Sequence, residues 1–404
     1  MKISKYIFLI SWLLPLALDA QNRFPELKNP LPPPLLFFPS PLIEIDNYAS
    51  VVFDGSASLI WQSNLFYDDE IESDELMFVF TPGLDAHIGN QFTVFEAYFQ
   101  ASYEIQRLDD RSKLNDEYLH VDAIASYEGA RFNLNAAYSF DEQQTTTGEQ
   151  GATGLESGFI RLFVTQAHLL GEYIFSQKFS FEPGITFGDR EFQEQKDRLA
   201  DVRSFSVPLD VFYELTPKVD LSVGYEYTFE EVDISTVENY NRDAQFLNFG
   251  ARGDLFPKLK GFFKVGYRTV NPEGPNRNSD STLGIGADFT HLTTPKLTSK
   301  LNLRHGFGVG SEGQSAEDTS LKLNFNYIIS GNYSARLFTN FTYRNFKDGN
   351  DGQDFISRAG LRCLYAPNEH LNFSTGYTYF ENDSNRIGQG FVNHILDISA
   401  SLRY

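Results

Sequence analysis

Cysteine is almost missing from this chain of 404 residues: the single Cys363 permits no internal disulfide and stands too isolated for a zinc or thiolate metal site, which needs several such ligands. Positive charge is scarce as well. With 33 Lys and Arg against 54 Asp and Glu the formal net charge is -21, the opposite of the basic excess that a phosphate-binding surface requires, so nucleic acid is excluded as a partner. Solubility of exposed loops is the ordinary reading of so much acid. Beyond the first 20 residues no apolar run approaches the roughly 18 needed for a membrane-crossing helix, which excludes helical spans.

Catalytic and metal motifs are missing too. The histidines His87, His120, His168, His291, His305, His370 and His394 have no HExxH-type spacing, and neither GxSxG nor a P-loop occurs. His120 and His168 fall near Asp122 and Glu172, yet a hydrated histidine is the preferred reading over an acid–base pair. DGNDGQD (348–354) lacks the spacing and distal Glu of an EF-hand and reads as a solvated loop. No cofactor and no catalytic or metal-ligating residue is expected.

What the chain does have is aromatic residues, 15% of the total, as 38 Phe and 21 Tyr against 2 Trp, at a mean hydropathy of only -0.32. A soluble protein would need a large core for these rings. A transmembrane β-barrel turns apolar side chains out to lipid and polar ones in to water, and its mean hydropathy comes out near neutral. The length suits two ordinary domains or one large barrel.

The N-terminus, MKISKYIFLISWLLPLALDAQ, carries Lys2 and Lys5 before an apolar stretch from Ile7 to Leu18 and a small residue at Ala20. This is the pattern of a cleavable secretory signal over 1–20, with the mature chain starting at Gln21. No cysteine follows the cut, which argues against a lipid anchor. Residues 21–56 are rich enough in proline to read as an extended arm, lying in the periplasm, turned into the lumen or acting as a linker.

From residue 57 to 404 one unit repeats: an alternating segment, a tight turn, a second such segment and a polar loop. In KFSFEPGITFG, Phe179, Phe181, Pro183, Ile185 and Phe187 alternate with Ser180, Glu182, Gly184, Thr186 and Gly188. In KVDLSVGYEYTFE, Val219, Leu221, Val223, Tyr225 and Tyr227 alternate with Asp220, Ser222, Gly224 and Glu226. Period two means strand. A soluble sandwich also alternates, and the connections separate the two. Short ones recur at Gly89–Gln91, Glu128–Ala130, Ser176–Lys178, Leu215–Lys218, Phe256–Lys258, Ser330–Asn332 and Ala366–Glu369. Between them lie acidic, Asn- and Gly-rich loops such as 68–75, 141–157, 271–281 and 347–354. Short turns alternating with long loops is the pattern of outer-membrane barrels.

The tally is about 18 antiparallel strands of an all-β, up-and-down transmembrane barrel, or 16 if the irregular first segment is left out. An even count puts both termini on the periplasmic side. The final strand, HILDISASLRY, sets Leu396, Ile398, Ala400, Leu402 and Tyr404 on one face. Leu402 and the terminal Tyr404 are similar to the C-terminal signal read by the barrel assembly machinery.

A barrel this wide encloses water rather than filling with side chains, so function depends on the inward set. That set is sorted by sign. Early strands present Glu96, Glu104, Asp122, Glu172, Glu182, Asp210 and Glu226; later ones present Arg252, Lys264, Arg268, Lys300, Arg304, Lys322, Arg336, Arg344, Arg358 and Arg362. Glu214, Asp220, Asp254 and Lys260 lie near turns and read as rim residues. Opposite walls of opposite sign would set a transverse field across the pore that favours dipolar, hydrated solutes; hydrated residues clustered by chance are the alternative. Tyr98, Tyr118, Phe212, Phe246, Phe262, Phe338 and Phe380 point inward, as a stacking track for sugar rings or as packing against a plug or arm.

The strand pattern, the TPGLDA segment (Thr81 to Ala86), the YELTPKVDLSVGY hairpin and the aromatic C-terminus together resemble the outer-membrane β-barrel porin family associated with exopolysaccharide export, over residues 50–404. The resemblance implies an outer-membrane channel in a Gram-negative-type bacterium, with outer-membrane lipid around it and small hydrophilic solutes, saccharides or a secreted polysaccharide as cargo. It implies no catalytic residues. A structural or adhesive barrel with a blocked lumen, and a barrel-borne enzyme, are the competing readings.

Overall fold

The computed structural model describes residues 43–45, 48–68, 73–89, 94–150, 158–194, 198–234, 239–274, 277–347, 352–386 and 388–404. The expected signal sequence, residues 21–42 and 46–47 of the expected arm, and parts of the turn at 89–91 and of the loops at 68–75, 141–157, 271–281 and 347–354 lie outside them.

A short strand β1 (Ile43–Ile45) is followed by β2 (Ala49–Gln62), β3 (Glu75–Ile88), β4 (Phe95–Leu108), β5 (Asp116–Glu128), β6 (Phe132–Thr146) and β7 (Phe159–Ile174). Then come β8 (Phe179–Phe192), β9 (Asp201–Thr216), β10 (Val219–Asp233), β11 (Tyr240–Phe256), β12 (Leu259–Pro272) and β13 (Asp280–Thr294). The chain ends with β14 (Leu297–Val309), β15 (Ser315–Ile328), β16 (Tyr333–Phe346), β17 (Gln353–Tyr365), β18 (Leu371–Ser384) and β19 (Phe391–Arg403). Each of β2 to β19 pairs antiparallel with its sequence neighbours, and β19 pairs back onto β2 from Ile395↔Gln62 to Arg403↔Asp54. The result is a closed ring of 18 strands, with β1 laid along the start of β2. Phe53 and Tyr404 finish the seam by exchanging backbone hydrogen bonds of 2.8 and 2.7 Å. Closure leaves no open edge, which in hydrocarbon would cost several kcal/mol per unpaired group.

The first barrel strand opens at Ala49, ahead of the expected 57, so the end of the expected arm belongs to the wall. Small residues hide its alternation: ASVVFDGSAS offers few bulky apolar side chains to mark a face. Two prolines sit where the ladder is interrupted. The β8–β9 pairing skips from Pro183↔Leu209 to Thr186↔Ser206 and so leaves Pro208, which has no N–H to donate, unpaired on that side. The β3–β4 pairing likewise skips Pro82.

Alternation sorts the two faces. On β10, Leu221, Val223 and Tyr225 are exposed while Ser222 between them is buried. The same side of neighbouring strands exposes Leu209, Val211, Leu247, Phe249 and Tyr267. The opposite side is the concave one, since its side chains reach strands that are not neighbours. A soluble monomer rarely exposes an apolar patch beyond a few hundred Å²; here the belt runs round the whole ring. Strands of 13 to 17 residues exceed the roughly 9–11 that cross a bilayer, so the wall projects beyond it. Among the described residues no helix is long and apolar enough to cross a membrane.

The connections at 89–94, 129–131, 175–178, 217–218, 257–258, 295–296, 329–332 and 366–370 lie at one end of the ring, the turn end, together with both ends of the barrel chain. The longer ones, among them 63–74, 109–115, 147–158 and 193–200, lie at the other, the loop end.

Candidate lumen site

The inner face changes character along the barrel axis. In its turn-end half lies a cavity of about 260 Å³, lined by residues from β7 to β14. Its centre is Arg252 on β11. The guanidinium holds Asp220 at 3.2 Å, Glu182 at 3.2 Å and Glu172 more closely still. Glu172 stands on β7, four strands from β11, and that reach is possible only across the concave side. The same guanidinium lies 3.5 Å from the centroid of Phe212. Glu172 also accepts from Ser180 Oγ at 2.8 Å and Asn133 Nδ2 at 3.3 Å. Next to this hub Lys264 meets Asp210 at 2.8 Å and Arg268 meets Glu226 at 3.6 Å.

The acidic set of β7 to β10 and the basic set that begins at β11 therefore meet along one seam, where they pair with each other. Burying paired charges this far from bulk water gains little net stability, but removing one partner typically costs about 3–5 kcal/mol. Further round, Arg344 holds Asp318 at 2.9 Å, Arg362 pairs with Asp397, and Arg336 donates to Asn326 at 2.9 Å. Arg304 donates to the carbonyls of Ala287 at 2.8 Å and Leu303 at 3.0 Å. Arg358 lies 5.4 Å from the ring of Phe380. Lys322 is half-buried, and Lys300 is exposed near the turn end. On the acidic side Glu104 is buried against Gln106, Asp122 is half-buried, and Glu96 is exposed near the turn end. His120 Nδ1 lies 2.9 Å from Asp141, and His168 is buried. Among the described residues no group of three or more His, Cys, Asp or Glu is arranged to hold a metal ion.

Guanidinium groups also cover the inward rings. Arg252 on Phe212 is joined by Arg268 at 4.4 Å from Phe246 and Arg304 at 5.4 Å from Phe262. Each cation sits on the π-face that a sugar would otherwise take. Tyr118 is fully buried and Phe338 nearly so, while Tyr98 is half-buried.

Towards the loop end the inner face turns apolar. Ile160, Leu162 and Val164 on β7 pack with Phe192 and Leu199. Val202, Val232, Ile234, Tyr240 and Val309 pack with Ala200. Tyr67 packs on Phe380 and Phe391, with ring centroids 5.5 and 5.0 Å away. A segment between β14 and β15 (310–314) reaches to the far wall. Ala200 N donates to Ser311 O at 2.7 Å, Tyr240 Oη to Gly313 O at 2.6 Å, Arg190 to Gly310 O at 3.1 Å, and Ser311 Oγ to Gln150 O. Arg242, paired with Glu230, also donates to Gly308 O at 2.9 Å. Sequence reasoning missed Arg190, Arg242 and Glu230. All three continue the inward alternation of β8, β11 and β10, and their nearness to the loops hid them.

Among solved structures the chain is similar to OccAB4 of Acinetobacter baumannii, at 12% identity over 89% of this chain and 100% of that one, with a TM-score of 0.43. OccK5 of Pseudomonas aeruginosa is 12% identical over 89% of this chain and 99% of that one, with a TM-score of 0.45. The FrpB iron transporter of Neisseria meningitidis is 9% identical over 82% of this chain and has a TM-score of 0.42, and the present chain spans 62% of its length. No curated protein sequence matches the chain. Residues 124–404 match the family described as "Putative beta-barrel porin 2", well over half of the chain, and the protein belongs to that family of outer-membrane β-barrel porins.

Proposed function

We propose that this barrel is a channel for small hydrophilic solutes of balanced charge, saccharides among them, with its turn end and chain ends in the periplasm. The observation that carries the reading is the charge-paired cavity of about 260 Å³ between β7 and β14, ringed by carboxylates, guanidinium groups and hydroxyls inside an apolar outer belt. It lies just below the roughly 300–1,000 Å³ of small-molecule pockets, a size that favours a small solute over a polymer. Paired acids and bases offer donors and acceptors together and present little net charge, which suits hydroxyl-bearing or dipolar solutes. A secreted polysaccharide, implied by the resemblance to export porins, would need the 310–314 segment to swing clear first. We assign the barrel no catalytic role.

Liposome swelling with sugars of graded size tests the proposal: monosaccharides are expected to enter quickly and oligosaccharides slowly. Equal exclusion of all of them would contradict it. A second reading, a structural barrel with a blocked lumen, draws support from the apolar packing and the 310–314 bridge at the loop end. It requires that no conductance be measured at all.

A further inference from the structure

Four successive hairpins at the turn end carry lysine at the same position: SQK at Lys178, TPK at Lys218, FPK at Lys258 and TPK at Lys296. Their geometry repeats. Ser176, Thr216 and Thr294 each accept two backbone N–H bonds with the side-chain oxygen, from the lysine and from the residue after it, at 3.0 to 3.3 Å. A hydroxyl turn in three of the four hairpins, and a proline in the middle of three of the four, fix the lysine backbone. Each lysine carbonyl then accepts a backbone N–H from the next hairpin, from Glu214 at 2.7 Å, Asp254 at 2.8 Å, Leu292 at 2.9 Å and Ile328 at 2.8 Å. The four ammonium groups thus hang from a rigid rim, with two strands, roughly 10 Å, between successive ones.

All four side chains are exposed; those of 178, 258 and 296 lean towards the following hairpin, and Lys178 and Lys218 also border the mouth of the luminal cavity. Lys178 Nζ lies 5.5 Å from the ring of outward-facing Tyr213, while Lys258 and Lys296 reach the carbonyls of Thr293 and Ile329 on the following turns. Beside the lysines stand exposed apolar residues, Phe175, Leu215, Phe256 and Ile329, continuous with the lipid-facing belt. The nearby acids do not cancel the row: Asp220 and Asp254 pair with Arg252 and Lys260, and Glu214 shares their inward register. The turns at 329–332 and 366–370 carry no lysine, so the row is an arc from β7 to β14.

We propose that this arc binds the anionic headgroups of phospholipids in the leaflet at the turn end. An apolar residue set in the acyl boundary beside a lysine at headgroup height is complementary to a phosphate-bearing lipid. A soluble polyanion would have no use for the apolar half of each pair. The identity of the leaflet rests on the proposal that the turn end is periplasmic.

The experiment is lipid retention by the detergent-purified barrel, read by native mass spectrometry with phosphatidylglycerol against phosphatidylcholine. The wild type is expected to keep the anionic lipid several-fold over the neutral one, and to lose that preference as salt is raised. Lys178→Gln, Lys218→Gln, Lys258→Gln and Lys296→Gln together should abolish the preference, and the four Lys→Arg changes should keep it. Equal retention of both lipids by the wild type, or a preference indifferent to salt, overturns the proposal without involving the quadruple variant. Labelling of Lys218→Cys in intact cells by an impermeant maleimide would overturn the orientation alone, whatever the lipid result.

Discussion

Ser311 and Gln150, 161 residues apart, meet across the loop end of the barrel, the Ser311 hydroxyl donating to the Gln150 carbonyl. With the Tyr240–Gly313 and Ala200–Ser311 bonds this contact ties a segment from the β14–β15 wall to the β6–β11 wall. The tie narrows the path that a solute must take.

Loosening it should therefore enlarge the path. Tyr240→Phe combined with Ser311→Ala removes two side-chain donors, each worth about 1 kcal/mol, and leaves the ladder intact. The expected result is a higher single-channel conductance with more frequent excursions to a large open level, and unchanged heat-shifted mobility on gels. Conductance identical to the wild type would place the constriction elsewhere.

Arg252 is the partner of three carboxylates, and Arg252→Met would leave Glu172, Glu182 and Asp220 without it. Truncating one side of a buried charge cluster costs about 3–5 kcal/mol. Thermal unfolding of the variant should begin well below that of the wild type, and the surviving channels should prefer cations. The further change Glu172→Gln should restore part of the stability; no rescue would mean that Arg252 acts through packing on Phe212 instead.

Much of this was legible in the sequence, because the physics of a barrel wall is written one residue at a time. Leu221, Val223 and Tyr225 against Ser222 and Gly224 can satisfy lipid and lumen only as a strand, and the hairpin repeat gave the ring its 18 members. The charged residues that line the cavity, Glu172, Glu182, Asp210 and Arg252 among them, were legible too. Their pairing was not, since Arg252 and Glu172 are 80 positions apart and meet only once the wall curves. The apolar lining of the loop end was hidden for a different reason. Ile160, Leu162 and Val164 face inward with the same period two that elsewhere sends apolar residues outward, and only the loops folded onto them show which side they take.

The hydrogen-bond register sets three glycines in one inward row, Gly224, Gly266 and Gly284, broken only by Asn248. A Cβ on Gly266 would stand 1.9 Å from the Leu247 carbonyl oxygen and 2.6 Å from Asn248 Cα, both backbone atoms that cannot swing aside. Gly266→Ala should lower the yield of folded barrel sharply. Gly331→Ala, in a turn with nothing within 4 Å of the added carbon, should be tolerated and serves as the control. Equal yields from both would mean that the row is not close-packed.

If the arginines of β14, β16 and β17 set the field in the lumen, Arg304, Arg336 and Arg358 neutralised together to Gln should move the reversal potential in a salt gradient towards that of a cation-selective pore. The sign follows from removing positive charge from a lumen whose acids remain. An unmoved reversal potential would remove the two-walled lumen from the account.

Recording from the purified barrel in planar lipid bilayers tests the central claim most directly. The account predicts stable, step-like openings of weak ion selectivity from protein that keeps its heat-shifted gel mobility. Protein folded by that same criterion that carries no current at any applied voltage would contradict it.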